Sequence, residues 1–350
     1  MTQKIPELDG LRAIAILAVL ITHFSHQHVL VGGYLGVDLF FVLSGFLITS
    51  LLLSEERGGG VGLGNFYARR ALRILPPLVA STAIALALGT ISIQAALAAL
   101  FFVANIVNVP LGAFVPMWSL SVEEHFYLLW PFLFIALGRH RPRFVAYAIL
   151  AVVAVRIVLL SMRIGIYEQT YARADSLLVG CGAALMMTIR PPKLSRWVAP
   201  VTFATVLATF AFMPWRSFMM MSFGFTVLAF VCAALIVSVL AHEGFVGRLL
   251  RWEPMQYVGK RSYGLYVYHA PLFIALQRFR VEGDPWSLVW ATAAGAVATF
   301  VVAEISYRTI EAWARGWSAR FRARRGGFPS LAPSAGGWRP EHESNVRPAP

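Results

Sequence analysis

The stretch LDGLRAIAILAVLITHF, Leu8 to Phe24, decides how the rest of the chain is read. As a helix it rises about 25 Å, and with a few flanking residues it crosses a hydrocarbon core of about 30 Å. Yet Asp9 and Arg12 stand at its start and His23 near its end. Ionisable groups inside a span face a bundle interior or a water-filled cavity rather than lipid. Arg12 and His23 are eleven residues apart, about three turns, so they share one face about 16 Å apart. Asp9 lies three residues before Arg12 and can partner it. His23 needs a partner from another helix.

The surrounding chain repeats the apolar pattern. Of 350 residues, 58% are hydrophobic and 13% charged, and mean hydropathy is +0.67. That composition argues against two soluble domains and for an all-α, polytopic membrane helix bundle. Spans are expected at Leu8–Phe24, Tyr34–Leu53, Ile74–Ile91, Trp118–Leu137, Phe144–Leu160, Ser176–Ile189, Trp197–Phe212, Met219–Leu240, Tyr257–Leu276 and Trp286–Tyr307, about ten in all. Ser92 to Val109 is short and polar-spotted and reads as a surface or partly inserted helix. Glu55 to Tyr67, with GGGVGLG, reads as a loop. Cys181 and Cys232 lie in separate apolar runs, which predicts small core residues and no disulfide framework.

The net charge of +13 is a matter of topology, and no nucleic-acid partner is expected. With ten spans, Arg163, Arg173, Arg216, Arg278 and Arg280 fall outside and Arg12 and Arg156 within spans, which leaves 23 of the 30 Lys and Arg residues on the other side. The positive-inside rule then puts both termini in the cytoplasm of an inner (plasma) membrane. No cleavable signal is expected at the N-terminus. Residues 1–318 read as a membrane domain. Residues 319–350 read as a basic, disordered cytoplasmic tail, preceded by a basic amphipathic stretch from Arg308.

Depth along each span sorts the polar residues into two layers. Arg12, Arg70 and Arg73 belong to an inner layer, with the last two sharing a helix face. His23, Glu123, Glu124, Asp175 and His269 belong to an outer one, and Ser262, Tyr266 and His269 share one face at i, i+4 and i+7. His23 and Glu123 come to matched depth, and their pairing is the sharpest expectation. Asp9 with Arg12, Asp38, Arg173 with Asp175, and Glu304 can equally be structural partners between helices. His23, His26 and His28 form HxxHxH in a turn, and no metal is expected there.

In order along the chain, LDGLRAIAILAVLITHF, GVDLFFVLSGFLI, FYARRALRILPP, MWSLSVEEHFYLLWP, RADSLLVG and SYGLYVYHAP resemble the acyltransferase 3 family of integral-membrane acyltransferases. The resemblance runs from about Leu8 to about Glu311 and is to the stand-alone form, without an SGNH hydrolase-like domain. It implies an O-acyltransferase that moves an acyl group, most often acetyl, from cytoplasmic acetyl-CoA to a hydroxyl of a glycan, glycolipid or other extracytoplasmic acceptor. Its motifs place the family's functional residues at Arg12, His23, Arg70, Arg73 and Glu123, with Glu124 in reserve. Arg12, Arg70 and Arg73 would bind acyl-CoA phosphates. His23 would act as base, oriented by Glu123. Ser262, Tyr266 or His269 would donate to the thioester oxyanion. Direct transfer and an acyl-histidine intermediate both remain open, as does the alternative class of a secondary transporter with a buried His, Glu and Arg pathway.

Overall fold

The computed structural model describes residues 5–25, 28–214, 218–281 and 284–321. Its helices in chain order are α1 (Pro6–Phe24), α2 (Gly36–Arg57), α3 (Leu63–Ala87), α4 (Ile93–Leu100), α5 (Met117–Leu137), α6 (Arg141–Ser161), α7 (Thr170–Ile189), α8 (Val198–Phe212), α9 (Phe225–Ala241), α10 (Phe245–Arg251), α11 (Glu253–Gln277), α12 (Pro285–Arg308) and α13 (Ile310–Ser318). A π-helical turn, Met220–Gly224, leads into α9. No strand occurs among the described residues. Each segment expected to cross contains one helix, α8 with only 15 residues, and among the described residues six stretches are long and apolar enough to span a membrane: Gly33–Arg57, Leu63–Ala87, Met117–Ser161, Thr170–Ile189, Met220–Ala241 and Trp286–Phe321.

Helix starts differ from the expected ones in an informative way. The loop expected at Glu55–Tyr67 shrinks to residues 58–62, because α2 runs on to Arg57 and α3 begins at Leu63. Arg70 and Arg73 therefore lie inside α3, about 10 and 15 Å along it, rather than at its mouth. Charged residues lower a hydropathy window, so an apolar run marks only part of a helix whose first turns carry arginine. The same holds for α7, which starts at Thr170 and encloses Arg173 and Asp175. Within 92–109, only Ile93–Leu100 is helical, and its eight residues, about 12 Å, are too short to cross. Ser92 caps it by accepting from the Ala95 N–H at 3.1 Å. The basic amphipathic stretch forms α13, with Trp313 and Trp317 exposed and Ala314 buried. The tail reading from residue 322 onward lies outside the described residues, as do His26 and Arg216.

Small residues set how closely the helices approach. α2 runs along α7, and α1 is held between α2 and α11. A Cβ on Gly45 would come within 1.9 Å of the Leu177 carbonyl oxygen, and one on Gly180 within 2.1 Å of that of Val42. Two motif glycines thus let the α2 and α7 backbones touch, the packing that replaces hydrophobic collapse where the solvent is lipid. In α11, Pro271 lacks an N–H and leaves the Val267 carbonyl without its helical donor. Ser81 of α3 donates to that carbonyl at 2.6 Å, which ties α3 to α11 beside the site. Gly180→Ala is expected to destabilise the detergent-solubilised protein by about 1–3 kcal/mol, read as a fall in thermal midpoint relative to wild type.

Candidate functional site

Five helices, α1, α2, α3, α5 and α11, surround a cavity of about 90 Å³ whose polar lining is Arg12, Ser44, Arg70, Arg73, Ser119, Glu123, Tyr127, Ser262, Tyr263 and Tyr266. Phe40, Phe41, Val37, Leu47 and Leu120 supply its apolar wall. Arg12 reaches it while paired to Asp9 at 3.2 Å, the intrahelical contact their spacing allows. Arg70 and Arg73 reach it from adjacent turns of α3 and differ in state. Arg70 is committed: its Nη2 lies 3.3 Å from Glu123 Oε1, and its guanidinium stacks 3.3 Å from the Tyr127 ring centroid. Arg73 opens into the cavity, and among the described residues no ion pair or hydrogen bond engages its side chain.

Glu123 is held by three donors. Ser44 Oγ, Tyr127 OH and Arg70 Nη2 all donate to its Oε1. The expected hydrogen bond between Glu123 and His23 is not formed. Arg70 lies deeper than its sequence position implied and draws the carboxylate into the arginine layer. Tyr127, four residues after Glu123 on the same face of α5, and Ser44 were not anticipated. The i, i+4 spacing was the available signal for Tyr127. Neighbouring Glu124 keeps Oε1 buried with no hydrogen-bond partner.

His23 meets a different residue, His269 of α11. Their ring centroids are 5.1 Å apart at 70°, an edge contact. His23 Nδ1 is 2.7 Å from the Val19 carbonyl oxygen, and His269 Nδ1 is 2.5 Å from that of Tyr266. A carbonyl only accepts, so both imidazoles carry a proton on Nδ1, and in the neutral ring Nε2 is then the lone pair. Tyr266 separates this pair from the cavity. Its ring packs 5.6 Å from that of His269, and its hydroxyl donates to the Pro116 carbonyl at 2.5 Å and lies 2.6 Å from Ser119 Oγ.

The remaining candidates form a separate, dry ionic cluster. Arg173 donates from Nη2 to both carboxylate oxygens of Asp38, at 2.8 and 2.9 Å, and Ser176 adds a hydrogen bond to Asp38 at 3.1 Å. Asp175 pairs with Arg156 at 2.5 Å and accepts from Thr226 at 2.5 Å. The pairing expected between Arg173 and Asp175 is thus corrected. Two residues apart, they point to different faces of α7, so each takes a partner from another helix. All four ionic side chains are wholly buried. Arg156 was visible in the sequence as an intramembrane arginine, but not its partner. Glu304 serves the other end of the bundle, accepting from Arg261, Arg308 and Tyr257. Among the described residues, no three His, Cys, Asp or Glu side chains converge as a metal site.

The helical bundle thus encloses an arginine-lined cavity, with a histidine pair behind one of its tyrosines. The family model described as an acyltransferase domain matches residues 5–308, and the chain belongs to that family, acyltransferase 3. It is similar to the provisionally named peptidoglycan O-acetyltransferase YrhL of Bacillus subtilis (strain 168), with 32% identity over 92% of this chain and 56% of that protein. It is also similar to O-acetyltransferase OatA of Staphylococcus aureus (strain NCTC 8325 / PS 47), with 31% identity over 88% of this chain and 56% of that protein. The chain thus spans just over half the length of these curated relatives. No solved structure matches it.

Breaking the ionic cluster leaves a buried charge without its partner. Arg173→Ala is expected to cost about 3–5 kcal/mol, enough to abolish a monodisperse peak in size-exclusion chromatography, whereas the exposed Arg308→Ala shifts the thermal midpoint little.

Proposed function

We propose that this chain is an integral-membrane O-acyltransferase that moves an acetyl group from cytoplasmic acyl-CoA to a hydroxyl of an extracytoplasmic glycan. The observation that carries this reading is the cavity in which three arginines converge, one of them unpaired, in front of two imidazoles with free Nε2 lone pairs. Acyl-CoA carries phosphates at one end and a thioester at the end of a long arm, which calls for cations on one side of a bilayer and a base deeper in. Arg73 and Arg12 have the planar donors that phosphate oxygens accept from. Arg70, with Glu123 and Tyr127, keeps the wall of that pocket in place and can lend its remaining N–H groups. His23 Nε2 is the base for the acceptor hydroxyl. Names given to the relatives, peptidoglycan O-acetyltransferase among them, favour a cell-wall glycan as acceptor.

Topology completes the proposal. Both termini lie in the cytoplasm, residues 1–318 form the membrane domain, residues 319–350 form a basic cytoplasmic tail, and the membrane is the cell's inner (plasma) membrane. Arg12 then faces the compartment that holds acyl-CoA, and His23 faces the one that holds the glycan.

The test is purified protein in detergent with radiolabelled acetyl-CoA and soluble peptidoglycan fragments. His23→Ala is expected to lower kcat by about 10²–10⁴-fold with the KM for acetyl-CoA little changed. Arg73→Gln is expected to raise that KM by about 10-fold or more. Glu123→Gln removes the charge that holds Arg70 and is expected to act on the same KM. Wild-type rates surviving in His23→Ala would refute the assignment of the base. In proteoliposomes, solute flux without consumption of thioester would replace the reading with a transporter.

A further inference from the structure

Six hydroxyl groups line the cavity, and they are not equivalent. Ser44 and Tyr127 donate to Glu123. Tyr263 donates to the Ile74 carbonyl at 2.7 Å, and Tyr266 to that of Pro116 at 2.5 Å. Ser119 joins the second contact, 2.6 Å from the Tyr266 oxygen and 3.3 Å from the Pro116 carbonyl. Ser262 is different: among the described residues no hydrogen bond engages its side chain. A serine or threonine inside a helix can bond back to the carbonyl four residues before it, as Ser121 does to Met117 at 3.1 Å and Thr82 to Leu78 at 2.8 Å. Ser262 is only 7% exposed and forgoes even that bond. A hydroxyl so withdrawn from solvent is costly unless something in the cavity accepts from it.

The level of Ser262 in the bundle narrows what that acceptor is. The Tyr263–Ile74 hydrogen bond joins the residue after Ser262 to the residue after Arg73, which puts α11 and α3 in register at the arginine layer. Ser262 and Arg73 line the same cavity, and Arg73 is the guanidinium without an ion pair. His269 lies seven residues further along α11, about 10 Å of rise. Ser262 therefore stands about two turns short of a thioester beside His23, and the oxyanion role its shared face with His269 suggested does not suit it.

We infer that Ser262 and Arg73 together hold one phosphate of the acyl donor, the phosphate to which its long arm is attached, the serine O–H and the guanidinium N–H groups donating to its oxygens. The inference rests on the transfer reaction proposed above. Phosphate oxygens accept, and the two groups left over at this level are both donors. Nearby carboxylates do not take their place: Glu123 is held by Arg70 and Asp9 by Arg12. Glu311 of α13 lies against Gly264, two residues on and so toward the other side of α11, and pairs with Arg315 at 3.7 Å. Of the donor's phosphates, the one bonded to the arm penetrates furthest, because the arm continues from it toward His23.

The test is calorimetric binding to the full chain in detergent, with two probes that differ by that phosphate: phosphopantetheine and pantetheine. Wild type is expected to bind the phosphorylated probe more tightly. Ser262→Ala is expected to weaken that binding about 10-fold and to leave pantetheine within about twofold. Combined with Arg73→Gln, it is expected to cost less than the product of the two separate losses, since both groups serve one phosphate. Equal losses for both probes would place Ser262 on the arm and overturn the inference, as would no loss for either probe or fully multiplicative losses in the double variant. Turnover gives a second readout. With acetyl-CoA and peptidoglycan fragments, Ser262→Ala is expected to raise the KM for acetyl-CoA about 10-fold with kcat within about twofold. A fall in kcat at unchanged KM would assign the hydroxyl to the oxyanion and refute the phosphate contact. Wild type that discriminates the two probes through Ser262 but transfers no acetyl would remove the proposed reaction and leave the contact standing. Transfer without that discrimination would do the reverse.

Discussion

A guanidinium inside a lipid-embedded bundle has to be matched, because the surrounding hydrocarbon offers neither water nor counterion. Most of this architecture follows from how that constraint is met. Arg156 and Arg173 are sealed against Asp175 and Asp38, and Arg261 is clamped by Glu304 between the rings of Tyr257 and Tyr307. The Arg173–Asp38 contact joins α7 to α2, 135 residues apart, and the other two each tie a helix to the next in the chain. Arg70 is matched by Glu123 and the face of Tyr127, and Arg12 by Asp9. Arg73 stands outside this pattern, open to the cavity. A cation left accessible beside others that are neutralised is the natural position for an anionic ligand.

The same matching separates two kinds of intramembrane charge. In the cluster of Asp38, Arg156, Arg173 and Asp175, the side chains are dry and packed against aromatic rings, with the Arg173 guanidinium 3.5 Å from the Phe225 ring centroid. Groups so enclosed join helices and are closed to a substrate. Around the cavity the charges are partly exposed and surrounded by hydroxyl groups of Ser44, Ser262, Tyr263 and Tyr266. There, polar atoms can exchange one partner for another as a ligand enters, at little cost in desolvation.

Much of the site was legible in residue spacing. Asp9 and Arg12 at i, i+3 predicted an intrahelical pair, and of the three residues on one face of α11, Ser262 and Tyr266 line the cavity and His269 packs on His23. Depth was less reliable. Arg70 was read as sitting at the membrane surface because hydropathy starts the third span at Ile74, whereas the helix starts at Leu63. That offset of eleven residues, about 16 Å of rise, moved the carboxylate of Glu123 from the histidine layer to the arginine layer. The exchange of partners between Arg156 and Arg173 was hidden for another reason. Nearness along a helix says which residues share a face, and nothing about which neighbouring helix that face meets.

By itself, then, the amino-acid sequence determined that this is a bundle of membrane helices and which polar side chains share a helix face. The first depends on composition and the second on the 3.6-residue period, and both are local. Tertiary structure decided who meets whom: Glu123 with Arg70, Arg173 with Asp38, and His23 with His269. Those choices depend on backbone approach, set by glycines such as Gly45 and Gly180, and on side chains long enough to cross between helices. Neither property is written in the spacing along one helix.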